Sequence, residues 1–322
     1  MAIRAFFIWS LLIIFNVSLP AAGSEPIRIA ADAQEEASPL WAPDGERISF
    51  IAKRAGRSCL VICSLKSGTQ DILADDVSAK GSYAWSPDGK HIAYTAKDSG
   101  GQFVCLAVAA TKEKERLHEG KNPVFSPKGE CFAFVTKRNV LVYHVGSKKI
   151  TQLTDEKEDA IFGRLAWDPS GDRIYYCRNG DLWTISSNGT SKKCVVNHTT
   201  ISSPPPFIDN PVVSAAGDCV YFSLVTEGLW SHPTDNICAR HELKSGKTMQ
   251  LFDANSWGIS RSGRHIAYSS GKDIMLFDMG SKKTMKVCEG FEPSFSPGDN
   301  SLVYLKRDKD SDETGVWFIH IK

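Results

Sequence analysis

Residues 85 to 94 read Trp85-Ser-Pro-Asp-Gly-Lys-His-Ile-Ala-Tyr94, a turn followed by the start of a strand. Proline presets φ at the first turn position, aspartate bonds back to its own backbone, and glycine takes the positive φ that ends the turn. After Gly89, apolar Ile92 and Tyr94 stand at offsets three and five, the period of two that marks a strand. The pattern returns at Trp41-Ala-Pro-Asp-Gly45, Phe125-Ser-Pro-Lys-Gly129, Trp167-Asp-Pro-Ser-Gly171, Val213-Ser-Ala-Ala-Gly217 and Ile259-Ser-Arg-Ser-Gly263, with glycines 40 to 46 residues apart. A seventh copy, Phe295-Ser-Pro-Gly298-Asp299, is slipped, and its Leu302 and Tyr304 fit if the turn is one residue longer.

Small residues such as Ser49, Ala93, Ala133 and Ala267 stand between the apolar pair, which lets neighbouring sheets approach closely. A third strand follows in most copies, as in Cys59 to Leu65, and a short fourth, as in Gln70 to Leu73. Four antiparallel strands repeated at this period predict an all-β chain, a single β-propeller of seven four-stranded blades. Six blades is the alternative, if the copy at Val213 or the truncated last copy is not complete. The seventh copy ends after its third strand, while Ile27 to Ala31 is strand-like and precedes the first copy. That N-terminal run is expected to close the ring as the outer strand of the last blade and remove the open edge.

The leader and the charge balance bound the rest. Residues 1–23 read as a secretory signal peptide: Arg4, an apolar run from Ala5 to Pro20, then Ala21-Ala22-Gly23 as small residues for cleavage. The domain reading is therefore a signal peptide over 1–23 and a propeller over 24–322, with an uncleaved anchor as the alternative. No stable membrane span is expected after cleavage, and the location is periplasmic or secreted. The chain has 38 Lys+Arg against 37 Asp+Glu, and loss of Arg4 balances them. Such a composition gives no electrostatic reason to expect nucleic acid or a membrane surface as partner.

Nine cysteines are scattered, mostly inside apolar runs, and read as small buried hydrophobes, with one or two cross-strand bridges the alternative. No C-x2-C pair suggests zinc. The eight histidines form no H-x-H or H-x3-H pair. Asp308, Asp310 and Asp312 alternate in one loop as a weak calcium-type cluster, without the glycine and distal glutamate of an EF-hand.

The Ser-Pro-Asp-Gly turn and the alternation after it resemble the WD-like propeller repeat of the TolB family, over nearly the whole chain beyond the leader. That resemblance implies a periplasmic scaffold that binds another protein across a ring face. TolB carries a separate α/β domain before its propeller, for which the first copy here leaves no room. The repeat is also similar to that of prolyl-oligopeptidase-like enzymes, whose hydrolase domain and G-x-S-x-G motif are lacking. Oligogalacturonate lyases share it too, which implies the rival reading: a secreted carbohydrate-active enzyme. The expectation is a monomeric, non-catalytic, exported scaffold without a cofactor, which binds a protein or cell-envelope component. Its partner surface is expected at the two longest interruptions of the repeat, where Phe207, Leu229, Trp230 and His232 offer aromatic and polar contacts on one face.

Overall fold

The computed structural model describes residues 25–35, 38–155, 161–225, 236–308 and 313–321. Strand β1 (Ile27–Ala30) comes first, and seven sheets then follow the repeat. Blade 1 holds β2 (Leu40–Trp41), β3 (Arg47–Arg54), β4 (Arg57–Ser64) and β5 (Gln70–Ala74). Blade 2 holds β6 (Tyr83–Trp85), β7 (His91–Asp98), β8 (Gly101–Val108) and β9 (Lys114–Glu119). Blade 3 holds β10 (Lys121–Phe125), β11 (Cys131–Val135), β12 (Val140–His144) and β13 (Lys149–Gln152). Blade 4 holds β14 (Ile161–Trp167), β15 (Arg173–Arg178), β16 (Asp181–Ser186) and β17 (Lys192–Val196). Blade 5 holds β18 (Phe207–Val213), β19 (Cys219–Val225), β20 (Ile237–Glu242) and β21 (Thr248–Asp253). Blade 6 holds β22 (Trp257–Ile259), β23 (His265–Ser270), β24 (Asp273–Asp278) and β25 (Thr284–Glu289). Blade 7 holds β26 (Phe291–Phe295), β27 (Ser301–Arg307) and β28 (Thr314–His320), and β1 pairs antiparallel with β28 as its fourth strand.

Each sheet is an antiparallel meander, and the ring has seven blades rather than six: the copy at Val213 is a full sheet. The strand at offset three and five is the second of each sheet. Ile48, Ile92, Phe132, Ile174, Val220, Ile266 and Leu302 are all fully buried, as are Phe50, Tyr94, Phe134, Tyr176, Phe222 and Tyr304. A buried apolar cluster fills every seam between neighbouring sheets, from blades 1 and 2 round to blades 7 and 1. The residue between the pair is small in blades 1, 2, 3 and 6 (Ser49, Ala93, Ala133, Ala267) and is Tyr175, Tyr221 and Val303 in blades 4, 5 and 7. At blade 1 it does more than allow close approach. Ser49 is fully buried and its Oγ accepts from Trp85 Nε1 of blade 2 at 2.8 Å. The same seam takes Tyr83 OH to the Ser49 carbonyl at 2.8 Å. Two other inner-strand tryptophans also reach back one blade, Trp167 to the Val124 carbonyl at 3.1 Å and Trp257 to Ser223 Oγ at 3.0 Å.

The turns that the sequence singled out pack in a second ring. Pro87 Cδ lies 3.1 Å from where a Cβ on Gly129 would stand, Pro127 makes the same approach to Gly171, and Pro169 to Gly217. Glycine is therefore fixed at these positions by its positive φ, and at Gly129 also by the close proline of the preceding blade, the other two prolines standing at ordinary contact, 3.6 Å. In blades 2, 3, 5, 6 and 7 a serine closes the turn, its Oγ accepting from the N–H five residues on, as in His91 N to Ser86 Oγ at 2.9 Å. In blade 4 Asp168 Oδ1 accepts from Arg173 N at 2.9 Å in its place.

The seventh turn corrects the sequence reading. Asp299 N donates to the Ser296 carbonyl at 3.0 Å, as Gly89 N does to Ser86, so this turn has the ordinary length. Asp299 takes the left-handed position at φ 58°. Its carboxylate accepts from Arg261 N at 2.6 Å and Ser262 N at 2.8 Å in blade 6, where the turn lacks a proline. These two bonds offset the strain of a non-glycine residue at positive φ.

All nine cysteines are free thiols, and Cys59, Cys63, Cys105, Cys177, Cys219 and Cys238 are buried in the seams as small apolar groups. Burial pushes the Cys63 and Cys105 thiols up to about 11. Among the described residues no helix is long and apolar enough to cross a membrane.

Phe222→Ala is expected to destabilise the ring by about 3–5 kcal/mol, the cost of emptying a fully buried aromatic site. Ser49→Ala, which leaves the Trp85 N–H buried without its acceptor, is expected to cost about 1–3 kcal/mol. Denaturant unfolding of both variants against the parent measures these losses.

Candidate functional site

The first strand of every blade lines the central channel, and the residue three before the large apolar residue that leads each turn sits at its mouth. Those positions are Ser38, Ser82, Asn122, Arg164, Asn210, Ser256 and Glu292. All seven are polar. They ring a cavity of about 340 Å³ whose remaining wall includes Leu40, Tyr83, Val124, Leu165, Trp257 and three prolines.

The backbone is bent to present them. Asn122, Asn210 and Glu292 have φ of 57°, 51° and 53°, and in blade 4 Gly163 takes 74° just before Arg164. Register shifts accompany these bends at blades 3, 4, 5 and 7, with one extra residue on the inner strand at blades 3, 5 and 7 and two at blade 4. For glutamate this conformation is strained, and the strain is held by side chains around it. Glu292 N donates to Ser256 Oγ at 3.0 Å, and Ser38 Oγ donates to the Glu292 carboxylate. Across blades 2 to 4, Ser82 Oγ donates to Asn122 Oδ1 at 3.0 Å and Asn122 Nδ2 to the Gly163 carbonyl at 2.6 Å.

The charges of the ring are placed apart. Arg164, exposed, belongs to blade 4, and Glu292, half-buried, to blade 7, as far around the ring as seven blades allow. Behind Arg164 lies Asp209 of the next blade. Its Oδ1 accepts from Asn210 N at 2.7 Å and occupies the space that a Cβ on Gly163 would need, so glycine is required there. Burial raises the Asp209 carboxyl above the ordinary range, against the opposing pull of the Asn210 N–H, Arg164 and Lys121. Such a mouth can orient a bound chain by one cation and one carboxylate and hydrogen-bond it between them. It contains no histidine or cysteine among its lining residues.

The residues singled out from the sequence fall elsewhere. Phe207 is the first residue of β18 rather than a loop residue, on the same face as the mouth and paired in register with Val225. It is 38% exposed and stacks on His198 at 5.9 Å, above Gly180. His198 Nδ1 is 2.7 Å from Asp181 Oδ1, which also accepts from the His198 N–H at 2.9 Å. Leu229, Trp230 and His232 lie outside the described residues. So do Asp310 and Asp312, while Asp308 accepts from Arg28 Nη1 at 3.1 Å. Among the described residues no three His, Cys, Asp or Glu side chains are grouped so as to hold a metal ion. The polar ring lies three columns before the turn in the same repeat alignment, and its uniform polarity is the signal that finds it.

A family model for the TolB beta propeller domain matches residues 24–207. No curated protein matches the sequence. Among solved structures, an oligogalacturonate lyase in complex with manganese is similar at 13% identity and TM-score 0.68, covering 94% of each chain. An oligogalacturonate lyase from Vibrio parahaemolyticus gives 11% identity and TM-score 0.69, over 92% of this chain and 93% of that one. A structure described as TolB from Agrobacterium tumefaciens gives 17% identity and TM-score 0.53, over 88% and 90%. At such identities the likeness is one of fold.

A raised carboxyl pKa means that the folded state holds its proton more tightly than the unfolded chain. Stability is then lost as pH rises from the unfolded value, about 3.9, through the folded one. Asp209→Asn, which mimics the neutral acid, is expected to gain stability over the parent progressively across that rise, in denaturant melts taken at a series of pH values. A constant difference contradicts the assignment.

Proposed function

The chain belongs to the TolB β-propeller family, and from that premise we propose that it is an exported, non-catalytic scaffold that binds a protein or cell-envelope component at its channel mouth. The observation that carries the reading is the convergence of seven equivalent inner-strand positions on one polar ring, with Arg164 and Glu292 on opposing walls. Family membership and the leader-like residues 1–23 support a periplasmic location.

Rigid framing favours binding. Each ring residue lies in or just before the first strand of its blade, and four are set by bends of that strand that the closed ring sustains. Preorganised polar groups lower the entropic cost of association. Phe207, exposed on the same face and stacked on His198, widens the contact surface beyond the mouth. The lyase reading draws on fold likeness alone.

The test uses the chain from Ser24 onward as bait for solubilised envelope, beside an Arg164→Ala/Glu292→Gln variant and a Phe207→Ala variant of unchanged melting temperature. The expected result is a discrete partner held by the parent, reduced at least tenfold by the double variant and less by Phe207→Ala. In parallel, the parent is incubated with oligogalacturonate with and without manganese. Cleavage that the double variant loses overturns the non-catalytic reading.

A further inference from the structure

The two faces of the ring differ in charge in a way that the balanced composition hides. The turns between third and fourth strands, on the face opposite the mouth, hold residues 65–69, 109–113, 145–148, 187–191, 243–247 and 279–283. Glu113 is the single acidic residue in these six turns. Each turn, or the two residues after it, carries exposed lysine: Lys66, Lys112, Lys149, Lys193, Lys247 and Lys283 mark blades 1 to 6 in order. Lys112 pairs with Asp71 at 2.7 Å. Among the described residues the other five make no ion pair. The mouth face is neutralised instead, with Arg54 on Asp32, Arg116 on Asp98 and Arg307 on Glu35. Nearer the axis, on the same face as the lysine turns, the first turns of the seven blades hold eight acidic residues against four basic ones, and Asp278, the last residue of β24, pairs with Arg264. The excess therefore lies on the rim.

A second observation coincides with it. Ile72, Ile150, Met249 and Met285 are exposed large apolar side chains, Met285 at 59%. Each is the second or third residue of an outermost strand, just beyond one of the lysine turns. Lysines in six blades, joined by exposed aliphatic groups in blades 1, 3, 5 and 6, match an anionic bilayer: the cations meet headgroups and the aliphatic groups enter the interface.

We propose that this rim is a membrane-docking face that seats the propeller flat on an anionic lipid surface, with the channel mouth turned away. The inference stands independently of what the mouth binds.

The chain from Ser24 onward contains every strand of the closed ring and lacks the apolar leader, so it is the form to test. It is sedimented with phosphatidylcholine vesicles and with phosphatidylcholine–phosphatidylglycerol vesicles. Binding is expected only with phosphatidylglycerol, and is lost at high salt as screening shortens the range of attraction. A lysine near such a surface contributes roughly fivefold, so Lys149→Glu/Lys247→Glu/Lys283→Glu is expected to weaken partitioning by more than about 100-fold. Met249→Ser/Met285→Ser is expected to weaken vesicle binding while leaving binding to soluble dextran sulfate unchanged. No sedimentation with phosphatidylglycerol vesicles, or equal binding by the triple variant, overturns the proposal. Binding to dextran sulfate without binding to vesicles identifies a polyanion site and overturns the membrane assignment.

Discussion

A sheet that buries both faces against its neighbours exists only while neighbours stand on both sides, so seven such sheets must form a closed ring. Closure here falls on β1, four residues that pair with β28. Several charged contacts hold its surroundings: Arg28 on Asp308, Arg54 on Asp32, and Glu35 on Arg307 and Thr314. The Arg307 guanidinium and the Thr314 hydroxyl hold the Glu35 carboxyl below the usual carboxylate range. Removing the edge by pairing both ends of the chain in one blade leaves the apolar pair of every second strand buried.

The rest of the molecule inherits that constraint. Because the seams are rigid, the inner strands can carry bends that an isolated sheet does not hold, and the ring residues at the mouth depend on those bends. Glu292 at positive φ is kept by Ser38 and Ser256 from the blades on either side. Gly163 is kept by Asp209 from the next blade. The site is thus a property of adjacent blades and of no single one.

The fold was legible because its signal is local and repeated: a turn whose residues have fixed conformational roles, followed by a two-residue period. The position of the mouth was legible in principle, since Ser38 to Glu292 occupy one alignment column, but polarity at a strand's start looks like ordinary solvent exposure until the ring brings seven copies together. What the sequence did not reveal depends on other blades. Asp299 looks like a displaced glycine until its bonds to Arg261 and Ser262 are seen. Phe207 looks like a loop aromatic until β18 claims it. The lysine rim escapes a composition argument because net charge carries no information about which end of a strand a residue ends up on.

The central claim is that the mouth is the face that engages a partner. A photo-crosslinking amino acid at position 164, and the same group at position 247 on the opposite rim, tests it in the cell that makes the protein. The account predicts a discrete protein adduct from position 164 and none from position 247. Adducts of equal yield from both positions, or none from position 164 in a folded protein, contradict it.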